Sequence, residues 1–166
     1  PNISDSAQVR KIEQGYFELP SSSDSFRVRI IGGKSSVLTL KEGRGMSREE
    51  EEEAISLRLA QKLLDKCYHR LTKLRIAYQG WEIDIFGDVL AGIILAEFEF
   101  KGRAKKFKIP EWLKPFVVRE VTDSLTNLHL ARLASDLKGT GISANFYLER
   151  HLREIPKIVL TGGPCS

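Results

Sequence analysis

The chain has 166 residues, of which 42% are apolar and 29% charged, with a formal net charge of +4. This composition favours one globular domain with room for a hydrophobic core. Two distant cysteines, Cys67 and Cys165, and three scattered histidines argue against a disulfide framework, a zinc motif or a histidine-rich metal site. No apolar run is long enough to span a membrane, so we expect a cytoplasmic protein without a membrane partner.

Short alternating runs typical of β-strands occupy the first part of the chain. They cover Lys11–Leu19, Phe26–Ile31 and Val37–Lys41, with turn-forming residues between them. The acidic run Glu49–Glu53 follows. Such a run is usually solvated, but on a strand its second and fourth members would share one face. The leucine-rich segment Ser56–Lys66 then predicts a helix.

The second part of the chain predicts three more strands and then two helices. Strand patterns cover Leu71–Tyr78, Trp81–Phe86 and Ile93–Phe100, and helix patterns cover Leu125–Leu137 and Ala144–Arg153. About seven short strands in succession, with few helices between them, predict a mainly β fold that is an antiparallel barrel or sandwich.

Four pairs of like charges lie within the predicted strands, each pair separated by one apolar residue. The pairs are Arg27 and Arg29, Lys73 and Arg75, Glu82 and Asp84, and Glu97 and Glu99. Residues i and i+2 of a strand point to the same face, so cations cluster on two segments and carboxylates on two others. Clustered cations suit a polyanion, and clustered carboxylates suit a hard divalent cation. The pattern indicates a metal–phosphate site on a sheet, with an ordinary solvated strand face as the alternative.

Eight sequence elements in consistent order, from roughly residue 8 to residue 135, resemble the CYTH superfamily, the triphosphate tunnel metalloenzymes. The elements are Glu13-Gln14-Gly15-Tyr16, Arg27-x-Arg29, Leu40-Lys41, Ser47-Arg48-x-Glu50-x-Glu52, Lys73-x-Arg75, Glu82-x-Asp84-x-Phe86, Glu97-x-Glu99 and Glu120-Val121-Thr122. The resemblance implies an eight-stranded antiparallel tunnel barrel with flanking α-helices, whose lumen binds a triphosphate together with Mg²⁺ or Mn²⁺. The family's first-strand signature, Glu-x-Glu-x-Lys, does not precede Gln8, so we expect the first strand to be missing from an N-terminally truncated chain.

The resemblance also implies roles for individual side chains. The phosphate-binding positions are Arg27, Arg29, Lys41, Arg48, Lys73 and Arg75. The metal-binding positions are Glu50, Glu52, Asp84, Glu97 and Glu99. Tyr16 and Lys73 match catalytic positions. The alternatives are solubilising charges for the cations, salt bridges to those cations for the carboxylates, a turn residue for Arg48 and an ordinary strand aromatic for Tyr16.

The C-terminal tail has a different character. Lys157–Thr161 is a short buried-strand pattern, and Gly162 follows in the position of the first glycine of a P-loop. This segment of the sequence resembles the start of P-loop ATPases or kinases. We therefore assign residues 1–155 to the CYTH-like domain, and residues 156–166 to the first strand and partial P-loop of a fused, truncated NTPase or kinase-like domain.

The resemblance predicts metal-dependent hydrolysis of a triphosphate, which could be inorganic tripolyphosphate or a nucleoside or thiamine triphosphate. One alternative is a regulatory module that binds polyphosphate or a nucleotide for the fused P-loop domain, and another is an adenylyl cyclase. The aromatic residues are not interleaved with a basic patch, which argues against a nucleic-acid partner.

Overall fold

The computed structural model describes residues 7–19, 24–42, 49–98, 108–117, 121 and 125–151. Three predicted site residues, Arg48, Glu99 and Gly162, lie outside the described residues, as does the second domain assigned to residues 156–166.

Seven strands form a single antiparallel sheet in the described part of the chain. They are β1 (Gln8–Phe17), β2 (Ser25–Ile31), β3 (Ser35–Glu42), β4 (Glu49–Ala54), β5 (His69–Tyr78), β6 (Trp81–Phe86) and β7 (Ile94–Phe98). Their spatial order is β4-β3-β2-β1-β5-β6-β7, and every neighbouring pair is antiparallel. The mainly antiparallel β prediction is confirmed. Closure into an eight-stranded barrel and the missing first strand stay predictions.

Three helices accompany the sheet: α1 (Leu57–Leu64), α2 (Asn127–Leu137) and α3 (Ala144–His151). The side chain of Ser56 caps α1 by accepting a hydrogen bond from the backbone N–H of Leu59 at 3.2 Å. Thr126 caps α2 through a reciprocal capping box with His129. These contacts satisfy backbone donors that a helix start leaves free, which explains where the two helices begin. None of the helices in the described ranges is both long and apolar enough to cross a membrane.

Tight turns fix the register of the sheet. β5 and β6 are joined by Gln79-Gly80, with φ angles of 50° and 81°. Two positive φ values in a two-residue connection are those of a hairpin turn whose twist matches its strands. The register of this hairpin places Arg75 opposite Asp84.

The two faces of the sheet pack differently. One face is covered over β1–β3 by α1, with a core of Val28, Ile30, Ala60, Leu64 and Cys67. We call this the outer face. The opposite face carries the charged pairs, and at one end it packs under α2 and α3 in a second apolar core. We call it the charged face, and α2 covers it along β5.

Gly15 is the point where β1 and the chain following α1 come closest. A Cβ atom added at this position would lie 2.7 Å from Sγ and 2.8 Å from Cβ of Cys67, and 3.0 Å from Cδ2 of Leu64. Such distances are below ordinary contact, and the atoms involved belong to a packed core rather than to a flexible tip. Only glycine therefore lets α1 seat on the outer face.

We expect Gly15→Ala to lower the free energy of unfolding by about 1–3 kcal/mol, because the new methyl group overpacks the core beneath α1. The matched control is Gly87→Ala. Gly87 has a φ of −109°, and a Cβ there would meet only the carbonyl oxygen of Thr72, at 3.7 Å. Urea unfolding of both variants measures the difference, and equal stabilities would contradict the role given to Gly15.

Candidate functional site

The strand register places the predicted charged positions on one face of the sheet. Directly opposite residues share a face, and Tyr16 lies opposite Arg27, which lies opposite Thr39, which lies opposite Glu52. The same rule gathers the charged residues of β5, β6 and β7, because Arg75 lies opposite Asp84. The shared face predicted from i, i+2 spacing is confirmed for the described pairs.

The first cluster of charges lies on β2, β3 and β4. Arg29 Nη2 is 2.5 Å from Glu52 Oε1, and Arg27 Nη2 is 3.3 Å from Glu50 Oε1. Lys41 Nζ is 2.6 Å from Glu50 Oε2. The acidic run is therefore a strand, with Glu50 and Glu52 turned toward the cations as its alternation predicted.

The second cluster lies on β5 and β6 and is centred on Asp84. Its Oδ2 accepts a hydrogen bond from Lys73 Nζ at 2.5 Å and one from Arg75 Nη2 at 2.6 Å, while its Oδ1 accepts from Arg75 Nε at 2.7 Å. The side chains of Lys73 and Asp84 are 1% and 0% exposed. Lys73 Nζ also donates to Asn127 Oδ1 of α2 at 2.7 Å. Both oxygens of Asp84 are thus committed to cations.

Two further carboxylates surround Arg75. Glu82 forms an ion pair with its Nη1, and Glu97 Oε2 lies 3.6 Å from its Nη2. Glu82 and Glu97 are directly opposite each other on β6 and β7. This places two partly exposed carboxylates side by side at the edge of the second cluster.

Protonation in the second cluster follows from burial and charge. Burial, with the neighbouring Arg75, lowers the pKa of Lys73 to about 8 even though Asp84 opposes this shift. Burial alone would raise the pKa of Asp84, but hydrogen bonds from Arg75 and the charge of Lys73 outweigh this effect and lower its pKa. Burial raises the pKa of Glu97, with Asp84 and Glu82 adding to the rise and Lys73 and Arg75 opposing it. The ionised form of Glu97 is therefore less favourable than that of a solvated glutamate.

The first cluster contains two unsatisfied donors. Among the buried side-chain nitrogen and oxygen atoms of the described residues, Nε of Arg27 and Nε of Arg29 have no hydrogen-bond partner. Burial and the neighbouring Arg27 also lower the pKa of Arg29, and Arg75 of the second cluster contributes in the same direction. Buried guanidinium donors that lack an acceptor indicate that a ligand with several oxygen acceptors belongs beside them.

Tyr16 lies buried between the two clusters, with 3% of its surface exposed. Its hydroxyl accepts a hydrogen bond from Gln14 Nε2 at 2.6 Å. Burial raises the pKa of Tyr16, and the charge of Arg27 opposes the rise. The neutral phenol therefore belongs to the charged face, and its catalytic role stays a prediction.

Three polar residues of this site received no role from the sequence. They are Gln14, Thr39 and Asn127. The first two each lie two positions before a residue that was assigned, so strand alternation could have found them. Asn127 comes from a helix far along the chain, and only tertiary packing brings it to Lys73.

The predicted metal ligands occur here mainly as partners of cations, which is the alternative that the sequence left open. No group of three or more His, Cys, Asp or Glu side chains in the described ranges is assembled to hold a metal ion. The metal role of Glu50, Glu52, Asp84 and Glu97 stays a prediction.

Comparison with known proteins agrees with this geometry. The family model described as CYTH domain matches residues 4–132. An inorganic triphosphatase of Acetivibrio thermocellus is 31% identical over 115 residues, which are 66% of this chain and 70% of that protein. The crystal structure of an inorganic triphosphatase gives a TM-score of 0.48 at 27% identity, over 64% of this chain and 75% of that one. A second crystal structure of that same protein, described there as hypothetical, gives a TM-score of 0.51 at 22% identity, over 76% of this chain and 87% of that one.

The family model spans all seven described strands of the antiparallel sheet, which is consistent with the CYTH fold. The chain belongs to the CYTH family.

We expect Asp84→Asn to lower the free energy of unfolding by about 3–5 kcal/mol, since it leaves two cations facing a neutral amide in a buried site. Glu82→Gln is the control, because Glu82 pairs with the same Arg75 but is 33% exposed. It should cost less than about 1 kcal/mol. Chemical denaturation of both variants measures the contrast. Similar losses would show that Asp84 does not organise the cluster.

Proposed function

We propose that this chain hydrolyses a triphosphate held against its charged face, with inorganic tripolyphosphate as the first substrate to test. The observation that carries the proposal is the pair of buried Nε donors on Arg27 and Arg29, which lack acceptors beside further cations. The name of the Acetivibrio thermocellus relative, an inorganic triphosphatase, supports the same chemistry.

The cations have distinct tasks in this proposal. Arg27 and Arg29 offer planar forks that match phosphate oxygens, while Lys41 and Lys73 act as compact point charges. Arg75 of the second cluster lies on the same face of the sheet, because the β1 residues opposite Arg29 and Arg75 are four positions apart. Cations on both sides can hold the non-bridging oxygens and stabilise charge that develops during in-line displacement.

The balance of charges supports a requirement for added cations. Five cations and five carboxylates of the charged face are ion-paired with one another: Arg27, Arg29, Lys41, Lys73 and Arg75 with Glu50, Glu52, Glu82, Asp84 and Glu97. A triphosphate entering a balanced site adds several negative charges without compensation. CYTH triphosphatases are in general metal-dependent, and divalent cations would restore the balance.

The residues differ in how well they fit a hard cation. Glu97 fits best, because burial and neighbouring carboxylates disfavour its ionised form and a cation would relieve this. Glu82 lies directly beside it. Glu50 and Glu52 form a second pair of oxygen donors, whereas Asp84 fits poorly because both its oxygens accept bonds from Lys73 and Arg75. When bound, Mg²⁺ or Mn²⁺ would neutralise phosphate charge and orient its oxygens.

The two alternatives from the sequence, a polyphosphate- or nucleotide-binding regulatory module and an adenylyl cyclase, gain no support from a contact in the described residues. The fused P-loop domain, proposed from residues 156–166, is a separate proposal and the hydrolysis does not depend on it.

Phosphate release from tripolyphosphate and from nucleoside and thiamine triphosphates tests the proposal. We expect release with Mg²⁺ or Mn²⁺, loss of release with a chelator, and recovery when metal is added back. Glu97→Gln should raise the metal concentration needed for half-maximal rate, because it removes one carboxylate donor. Activity that persists in the chelator would defeat the metal requirement, and no release from any triphosphate would defeat the hydrolysis.

We expect Arg29→Ala to weaken tripolyphosphate binding by about 1.5–3 kcal/mol, since it removes a charge-assisted contact from a partly buried site. Lys34→Ala is the matched control, because Lys34 is an exposed lysine in the turn between β2 and β3. Its solvated charge should contribute far less. Titration calorimetry compares the two, and equal losses would mean that general surface charge attracts the anion.

A further inference from the structure

Among the described residues, two of the three N–H donors of the Lys73 ammonium group are engaged, which leaves one for a ligand. An ammonium carries three donors, and two of them are engaged by Asp84 Oδ2 at 2.5 Å and Asn127 Oδ1 at 2.7 Å. The ring of Phe86 lies beneath the group, with its centroid 5.5 Å from Nζ. The direction of the third N–H bond is therefore set by these contacts.

The two acceptors come from different layers of the fold. Asp84 belongs to β6 and is held by Arg75 as well, so it stays in place without Lys73. Asn127 is the first residue of α2, and the Thr126 capping box fixes where that helix begins. The apolar residues of α2, among them the fully buried Leu130, seat the helix on the charged face.

The contact with Asp84 alone would not fix the direction of the free N–H bond of Lys73. A lysine ammonium rotates freely about its last bond and forms a tight pair with one carboxylate in many orientations. A second, neutral acceptor fixes the rotation without adding negative charge next to the space for phosphate. An asparagine supplies this, whereas an aspartate at the same place would repel the ligand.

We propose that Asn127 is a positioning residue, which uses α2 to aim the free N–H donor of Lys73 at the phosphate chain. The inference rests on the proposed function in that it takes a triphosphate as the ligand of the charged face. It adds a role for the helix, because α2 then forms part of the binding geometry and does more than cover a core.

A double-mutant cycle tests this role through binding alone. The four proteins are wild type, Asn127→Ala, Lys73→Met and the double variant, each titrated with imidotriphosphate, whose P–N–P bridges resist hydrolysis, in the presence of Mg²⁺. We expect Asn127→Ala to weaken binding roughly tenfold when Lys73 is present, and less than about twofold when residue 73 is methionine. Equal weakening in both backgrounds, or none in either, would overturn the proposal.

Ser135→Ala is the control for helix docking. Ser135 lies near the other end of α2, where its hydroxyl contacts Nδ1 of His69 at 3.1 Å and donates to the carbonyl oxygen of Tyr68. It should lower the thermal midpoint and leave the affinity within about twofold, with or without Lys73. If Ser135→Ala weakened binding as much as Asn127→Ala, the affinity would depend on the packing of α2 against the sheet and not on the orientation of Lys73.

Two provisions keep the experiment decisive. If Asn127→Ala fails to fold, Asn127→Ser replaces it, because serine suits a helix start but is too short to reach Lys73. If the wild type binds imidotriphosphate but releases no phosphate from any triphosphate, the proposed hydrolysis fails and the cycle still decides the role of Asn127. If the wild type binds no imidotriphosphate, both the proposed phosphate site and the proposed role of Asn127 are wrong.

Discussion

The buried contact of Asp84 with Lys73 and Arg75 is the interaction on which the charged face depends. An unpaired charge at a fully buried position costs several kcal/mol, so Asp84 needs a cationic partner and Lys73 needs Asp84. Their strands are joined by the Gln79-Gly80 hairpin, whose turn geometry fixes the register that brings Arg75 opposite Asp84. A local turn preference thus becomes a constraint on where phosphate can be held.

This network also explains why cations and carboxylates coexist on one sheet face without a ligand. Each charged side chain in the two clusters has an opposite charge nearby, so the face is compatible with a stable fold before any substrate arrives. Such preorganisation places donors in advance and avoids the cost of reorganising them during reaction. The two unsatisfied Nε atoms are the part of this arrangement that the protein leaves incomplete.

Most of the fold was predictable because the chain is dominated by local signals. Alternation defined the strands, and glycine-containing turns such as Gln79-Gly80 separated them. The i, i+2 spacing also predicted that Arg27 shares a face with Arg29, and Lys73 with Arg75, since residues two apart on a strand point to the same side. Which carboxylate pairs with which cation was not predictable, because it depends on the order of strands in the sheet. Asn127 was missed for the same reason: a helix packs by its apolar stripe, and this says nothing about the polar residue at its end.

The two clusters differ in how they can respond to a ligand. Asp84 is fully buried and bound on both oxygens, so it cannot leave Lys73 and Arg75 without exposing bare charges. Glu50 and Glu52 are 31% and 45% exposed and lie on β4, the last strand of the described sheet, where they pair with Arg27 and Arg29. Partly exposed ion pairs are weaker than fully buried ones, so in the proposed function phosphate oxygens would replace these carboxylates more readily than they would replace Asp84. In the proposed function, the β5–β6 side would therefore be the fixed wall that sets the geometry of binding. The β2–β4 side would be the exchangeable wall, where carboxylates released from arginine could bind a cation that arrives with the triphosphate.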